Sequence, residues 1–343
     1  MSGGGADAGE QGAPFEKARV RAGSAAAAAV GGRLRAAAAR AGFAGCAIAS
    51  PDAAPDVRAL RAWLEAGNAA GMAWLARDPE GRCDPRRFFP EARCVVTVAL
   101  NYFQPVRADA PLRIARYAWG RDYHGTILAR LGRLLELVER WVPGTRGRAS
   151  VDSSPVLERH WAAVSGLGWI GRHGCLIVPH LGSWVLLGEL FLDLPLPAGE
   201  AVVSRCGTCR RCLDACPGGA LLDGGLVDAR RCIAYWTIEH RGRFPESGRP
   251  RLDPWLFGCD ACQEACPWNR FARPTADPEL RTILPAECFD PSAWTAADPR
   301  RIGARLGGTP LARVGFEGLL RNAEAIRTER EATAGRSPNS AGE

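Results

Sequence analysis

Eight cysteines between positions 206 and 266 constrain this chain more than any other feature. The first run reads C-G-T-C-R-R-C-L-D-A-C-P at Cys206–Pro217, and the second reads C-D-A-C-Q-E-A-C-P-W-N at Cys259–Asn269. Cys232 lies between them. Thiols crowded at two- and three-residue intervals turn toward a common centre and point to metal rather than to disulfides. That implies a reducing compartment, the cytoplasm. The other five, Cys46, Cys83, Cys94, Cys175 and Cys288, are scattered and read as buried apolar residues.

The first run has the spacing C-x2-C-x2-C-x3-C-P of bacterial ferredoxins, in which three thiolates hold one [4Fe–4S] cluster and the fourth serves another. Eight thiolates fill two such clusters. By that logic Cys206, Cys209 and Cys212 hold one, and Cys266, followed by Pro267, crosses over to complete it. Cys216, Cys232, Cys259 and Cys262 hold the second. Paired structural zinc sites are the alternative, but zinc ribbons present C-x2-C pairs with a spacer, and a triple run fits them poorly.

A chain of 343 residues has room for two domains or one with extensions. No apolar run is long enough to cross a membrane, and the Gly/Ala-rich start has no secretory pattern and no twin-arginine signal. Net charge is +7, almost all of it arginine, with Lys17 the only lysine. An arginine excess suits a phosphate-binding surface or reflects plain composition. Residues 1–30 read as a disordered tail. Residues 31–195 read as an α/β domain, with a strand over Cys94–Leu100 and an amphipathic helix over Ile127–Val142 that buries Leu128, Leu131, Leu135 and Val138. Pro-rich Leu194–Pro197 marks a boundary to a ferredoxin-like domain at 196–272. Residues 273–343 form an irregular extension with a short helical stretch and a frayed polar end. The fold class is α+β.

Several motifs outside the cysteines stand out. Arg116–His124 mixes two arginines with aromatic rings, as suits a loop that stacks bases and contacts phosphates, or an ordinary loop before a helix. Gly166–Gly171 is glycine-rich and lets backbone approach a flat cofactor. It meets G-x-G-x-x-G spacing, but no strand precedes it and no βαβ unit surrounds it, so it is not a dinucleotide fingerprint.

Taken together these segments resemble the epoxyqueuosine reductases, cobalamin-dependent iron–sulfur enzymes of queuosine tRNA modification. The matching stretches are G-R-D-Y-H at Gly120–His124, V-D-S-S-P-V-L-E-R at Val151–Arg159, G-L-G-W-I-G at Gly166–Gly171, G-S-W-V-L-L-G-E-L at Gly182–Leu190, V-D-A-R-R-C-I-A-Y-W-T-I-E at Val227–Glu239, and both cysteine runs. The chain departs from the family at Arg172, where lysine is expected, at Ala234–Trp236, where Ser-Tyr-Leu is common, and in its short polar end where many members carry a helical-repeat tail.

The resemblance implies reductive removal of an epoxide oxygen from a tRNA base, the last step of queuosine biosynthesis. The cofactors are two [4Fe–4S] clusters and cobalamin, whose reduced cobalt is a strong nucleophile. The partners are tRNA carrying epoxyqueuosine and an external electron donor; the protein is expected to be a monomer with no membrane contact. Asp152 matches the family's catalytic aspartate and is expected to donate a proton, which requires burial to raise its pKa. Cobalamin contacts are expected from Asp152, Trp169, Gly171, Arg172, His173, Ser183, Trp184, Thr237, Ile238, Glu239 and Asp260. No D-x-H-x-x-G motif is present, so cobalt is expected to lack a protein histidine ligand. Arg159, Tyr123 and His124 are the expected substrate contacts. Two other functions compete: a corrinoid reductive dehalogenase, which is usually exported, and a ferredoxin-like electron carrier, which needs neither Asp152 nor a corrin pocket.

Overall fold

The computed structural model describes residues 24–107, 110–295, 300–303 and 306–334. Helix α1 (Ala25–Arg40) starts earlier than the expected boundary at 31, because Ser24 caps it by accepting the Ala27 N–H at 3.0 Å. The rest of the expected tail, residues 1–23, lies outside the described residues. Strand β1 (Gly45–Ala49), helix α2 (Val57–Glu65), strand β2 (Cys94–Asn101), helix α3 (Tyr123–Trp141), strand β3 (Gly147–Ser150), helix α4 (Glu158–Val164) and strand β4 (Val185–Leu192) follow.

The four strands form one sheet in the order β1-β2-β4-β3, and every pairing is antiparallel. An α/β domain implies a parallel sheet; here the chain runs back antiparallel each time it re-enters, so the architecture is helices over an antiparallel sheet. β2 is buried on both faces. Cys94, Val96, Val98 and Leu100 meet α1 and α3, while Val95 and Ala99 face the α4 side with Trp161 and Ala162. The buried stripe of α3 is Ile127, Leu131, Leu134 and Val138. Leu128 is 39% exposed, so the face is rotated one residue from the expected one. Leu135 packs against the core only in part.

The cysteine-rich half is not a free-standing ferredoxin. Leu112, Ile114 and Trp119, from before α3, share a core with Ile233, Trp236, Leu256, Phe257 and the closing helix α5 (Gly315–Ala334). The expected frayed end is therefore helical as far as Ala334, with Leu319, Ala323 and Ile326 buried; residues 335–343 lie outside the described residues. Two short helices, Arg211–Asp214 and Ala261–Glu264, one in each cysteine run, pack together. Among the described residues no helix is long and apolar enough to cross a membrane.

Candidate active site and cluster-binding loops

The chain leaves β3 at Ser150 and turns sharply, with Asp152 at φ 39°. Side-chain-bearing residues enter that region rarely. The Asp152 N–H donates to the Glu158 carboxylate at the start of α4, which ties the loop down. The Asp152 carboxylate accepts from the Tyr123 hydroxyl at 2.7 Å and lies 3.3 Å from His124 Nε2. His124 Nδ1 stands 2.6 Å from Asp122 Oδ1, and Asp122 also caps α3. The imidazole therefore bridges two carboxylates.

These contacts set the proton positions. Its hydrogen bond to Asp152, with help from Asp122, pushes His124 up to about 9 against the opposing effect of burial. The same bond holds Asp152 below the ordinary carboxylate range. The expected route, burial raising Asp152, is not the one observed: its side chain is 55% exposed. At neutral pH the protons sit on His124 and Tyr123, and Asp152 is the carboxylate between them. Beneath lie two more acids, one half-buried and one fully buried. Glu158 is pushed up to about 7 by burial and by the charge of Asp152. Glu189, on β4 opposite Thr97 and Ser150, is fully buried with neither oxygen hydrogen-bonded, and burial drives it well above its usual range.

Tyr117 joins this site to the cysteine loops. Its pKa is raised first by burial, then by the charges of Asp152, Asp260 and Glu239, so it stands among all three. Arg313 donates to both Glu239 oxygens, at 2.7 and 2.9 Å, and its charge reaches Asp152. Asp260 is buried, accepts the Arg116 N–H at 2.9 Å and its guanidinium at 3.0 Å, and is pushed up to about 6 by burial against that pairing. The Arg116 guanidinium lies 4.6 Å over the Trp184 ring. Ser183 donates to Gln263 at 2.9 Å. Thr237 Oγ1 accepts the Gly258 N–H at 2.9 Å. Ser183, Trp184, Thr237–Glu239 and Asp260 thus surround the loop that carries Cys259 and Cys262. Arg159 is exposed and donates to the Gly174 carbonyl.

Trp169, Gly171, Arg172 and His173 lie elsewhere. Arg172 and His173 line one hollow with Cys206, Cys209, Cys212, Cys266, Pro267 and Trp268. Trp169 packs edge-on against Trp268, and Gly171 lies against the His173 ring. Burial and then the charges of Cys206 and Cys209 raise the Cys266 thiol, so these three are neighbours. The Cys259 thiol is raised by burial and then by Cys232 and Cys216. The Cys262 thiol is raised by burial, then by Cys175, Cys259 and Cys232. Among the described residues no three Cys, His, Asp or Glu side chains close round a single metal ion. A four-iron core demands a wider cage than one ion does. Two sets of four thiols, and the unpartnered buried Trp169 Nε1, Trp184 Nε1 and His173 Nε2, fit groups larger than a metal ion.

Residues 205–269 match a family described as a 4Fe-4S double cluster binding domain. Residues 82–153 match the family described as Epoxyqueuosine reductase QueG, DUF1730. An epoxyqueuosine reductase of Xanthomonas campestris pv. campestris is 41% identical over 298 residues, which cover 84% of each chain. The chain belongs to the epoxyqueuosine reductase family. A member from Synechococcus sp. (strain RCC307) is 44% identical over 247 residues, 69% of this chain and 74% of that one. A crystal structure of epoxyqueuosine reductase with an epoxyqueuosine-modified tRNA-Tyr stem loop superposes with a TM-score of 0.78 at 27% identity, covering 88% of this chain and 81% of the other. A Bacillus subtilis epoxyqueuosine reductase, with its catalytic aspartate loop swung out of the active site, gives 0.78 at 25% identity, with 90% and 83% covered.

As an epoxyqueuosine reductase family member the chain is an oxidoreductase. Sequence reasoning missed Tyr117, Glu158, Glu189 and Arg313 at the site. Glu189 alone left a signal: a charged residue in the middle of the apolar run V-L-L-G-E-L-F-L. The others come together only through tertiary folding.

Proposed function

We propose that this chain reduces epoxyqueuosine to queuosine at the tRNA wobble position, using cobalamin and two [4Fe–4S] clusters fed by an external electron donor. The observation that carries the reading is the linkage of Asp152, Tyr123 and His124 through Tyr117 to the Asp260 loop between the cluster cysteines, and through Arg313 to Glu239. Cys206, Cys209, Cys212 and Cys266 hold one cluster, and Cys216, Cys232, Cys259 and Cys262 the other. Ser183, Trp184, Thr237, Ile238, Glu239 and Asp260 line the corrin side. Bound and reduced, cobalamin supplies the strong nucleophile that opens a three-membered epoxide.

Taking the oxygen away as water and leaving an alkene consumes two electrons and two protons. The chain's part is the protons. Asp152 faces the opening oxygen as a carboxylate, and the proton starts on His124, which is protonated at neutral pH and 3.3 Å away. It passes from His124 through Asp152 to that oxygen. Tyr123 fixes the carboxylate oxygen that accepts. Arg159 is placed to meet the phosphates of the tRNA, and the working unit is a cytoplasmic monomer. The test is single turnover of anaerobically reduced full-length protein on tRNA carrying epoxyqueuosine, with nucleosides read by mass spectrometry. Queuosine at one equivalent is expected. None formed by protein holding both clusters and cobalamin overturns the reading.

A further inference from the structure

His173 has one nitrogen spoken for and one that is not. Its Nδ1 accepts the Cys175 N–H at 3.1 Å. An acceptor on Nδ1 fixes the neutral tautomer, so the proton resides on Nε2. That Nε2 is buried, has no partner in the protein, and belongs to a side chain only 3% exposed. The ring lines the hollow of Cys206, Cys209, Cys212 and Cys266. Gly171 leaves room for the ring: a Cβ there would lie 3.0 Å from His173 Cε1 and 3.2 Å from Nε2, so a side chain at 171 would press the imidazole out of its place. A buried donor without an acceptor is costly, at about 1–3 kcal/mol, and native structures rarely leave one.

We infer that His173 donates its Nε2–H to a sulfur of the cluster held by Cys206, Cys209, Cys212 and Cys266, and so raises that cluster's reduction potential. The inference rests on the two-cluster reading above. A hydrogen bond to a cluster sulfur stabilises the added electron, one of the levers that set such potentials. Of the side chains that line this hollow, Arg172 donates its guanidinium to the Gly207 carbonyl, and the His173 Nε2–H is the donor that is both buried and unpartnered. His173 is a positioning residue for electron entry, acting through the cluster rather than on substrate.

The experiment is an EPR-monitored redox titration of both clusters in full-length wild type, His173→Leu and His173→Gln. Iron and sulfide are measured on each sample. His173→Leu is expected to keep both clusters and shift one of them to more negative potential. The shift should amount to about a tenfold change in its reduction equilibrium, ~59 mV for one electron. His173→Gln keeps an N–H donor and should restore part of the shift. Pulsed EPR on protein labelled with ¹⁵N-histidine should show weak nitrogen coupling to that cluster and not to the other. Two intact clusters with unchanged potentials in His173→Leu and no ¹⁵N coupling in wild type overturn the inference. Wild type with less than two clusters' worth of iron overturns the two-cluster reading instead. Should His173→Leu lose the cluster, the ¹⁵N coupling in wild type decides by itself.

Discussion

Asp152→Asn separates proton donation from every other role of this site. Asparagine keeps the size, and its amide oxygen still accepts the Tyr123 hydroxyl that sits 2.7 Å from the carboxylate. What disappears is the charge, and with it the oxygen that takes the His124 proton and passes it on. The largest cause of the raised His124 pKa is its bond to Asp152, with Asp122 next. In the variant His124 should therefore fall from about 9 part of the way toward 6.5, since Asp122 remains. The fall is read by NMR of the ring protons in a chain with five histidines. The His124–Asp152 pair also stabilises the fold: a histidine whose pKa is raised on folding contributes fully below its unfolded value and loses that contribution as pH rises through its folded value. The stability gap between wild type and variant should thus be widest between the carboxylate range near pH 4 and pH 6.5, shrink below it as Asp152 protonates, and close as pH passes about 9. Loss of a positioned proton donor slows a reaction by about 10² to 10⁴. Single turnover with pre-reduced enzyme removes electron supply as a variable. Binding of tRNA should change little, because arginine–phosphate contacts supply most of such affinity. Near-normal turnover refutes the argument and passes the acid role to Tyr123 or His124; an unmoved His124 titration refutes the ion pair itself.

Three further outcomes follow from the geometry. Cys266→Ala should lose the cluster built on Cys206, Cys209 and Cys212 while the other survives, so that iron content halves and one EPR signal remains. Glu158 has a folded pKa raised to about 7 from 4.5, so wild type should lose stability as pH climbs between those values; Glu158→Gln, which still accepts the Asp152 N–H, should flatten that limb in thermal melts taken across pH. Asn322 is fully buried and donates at 2.9 Å to both the Thr237 and Leu256 carbonyls; Asn322→Ala strands both and should destabilise by about 2–6 kcal/mol in denaturant titration, at about 1–3 for each stranded carbonyl.

What the sequence discloses is local. Cysteine spacing is local chemistry, legible without the fold; the structure adds that Cys266 lies in one hollow with Cys206, Cys209 and Cys212. β2 announces itself because a strand covered on both faces is apolar throughout. The stripe of α3 is harder. Ile127 and Leu128 are adjacent and both apolar, and only the neighbouring strand β4 decides which faces inward. Gly188 marks that decision: a Cβ there would lie 2.6 Å from Ile127 Cγ2. Strand direction is invisible along one strand, so the antiparallel sheet could not be read. Asp152 is found by its motif, but its ionisation depends on His124, 28 positions away, and runs opposite to the burial argument. Tyr117 lies in the Arg116–His124 motif but its role there is not legible, Arg313 lies in a stretch with no chemical signature, and both reach the site because α5 and the segment before α3 share one core.

The two carbonyls held by Asn322 have a consequence for the order in which the molecule is made. Thr237 follows Cys232 by one helical turn, and Leu256 precedes Cys259 by three residues. Both segments depend on a side chain synthesised dozens of residues later, and on Leu319, Ala323 and Ile326 packing behind it. The antiparallel sheet is complete once β4 has emerged at Leu192, so it can form while the ribosome is still at work. The loops bearing Cys232 and Cys259 stay open until α5 has emerged. Iron and sulfide are therefore expected to reach the inner thiols most readily before α5 packs down over these two segments, so that the closing helix acts as a door behind the cofactor.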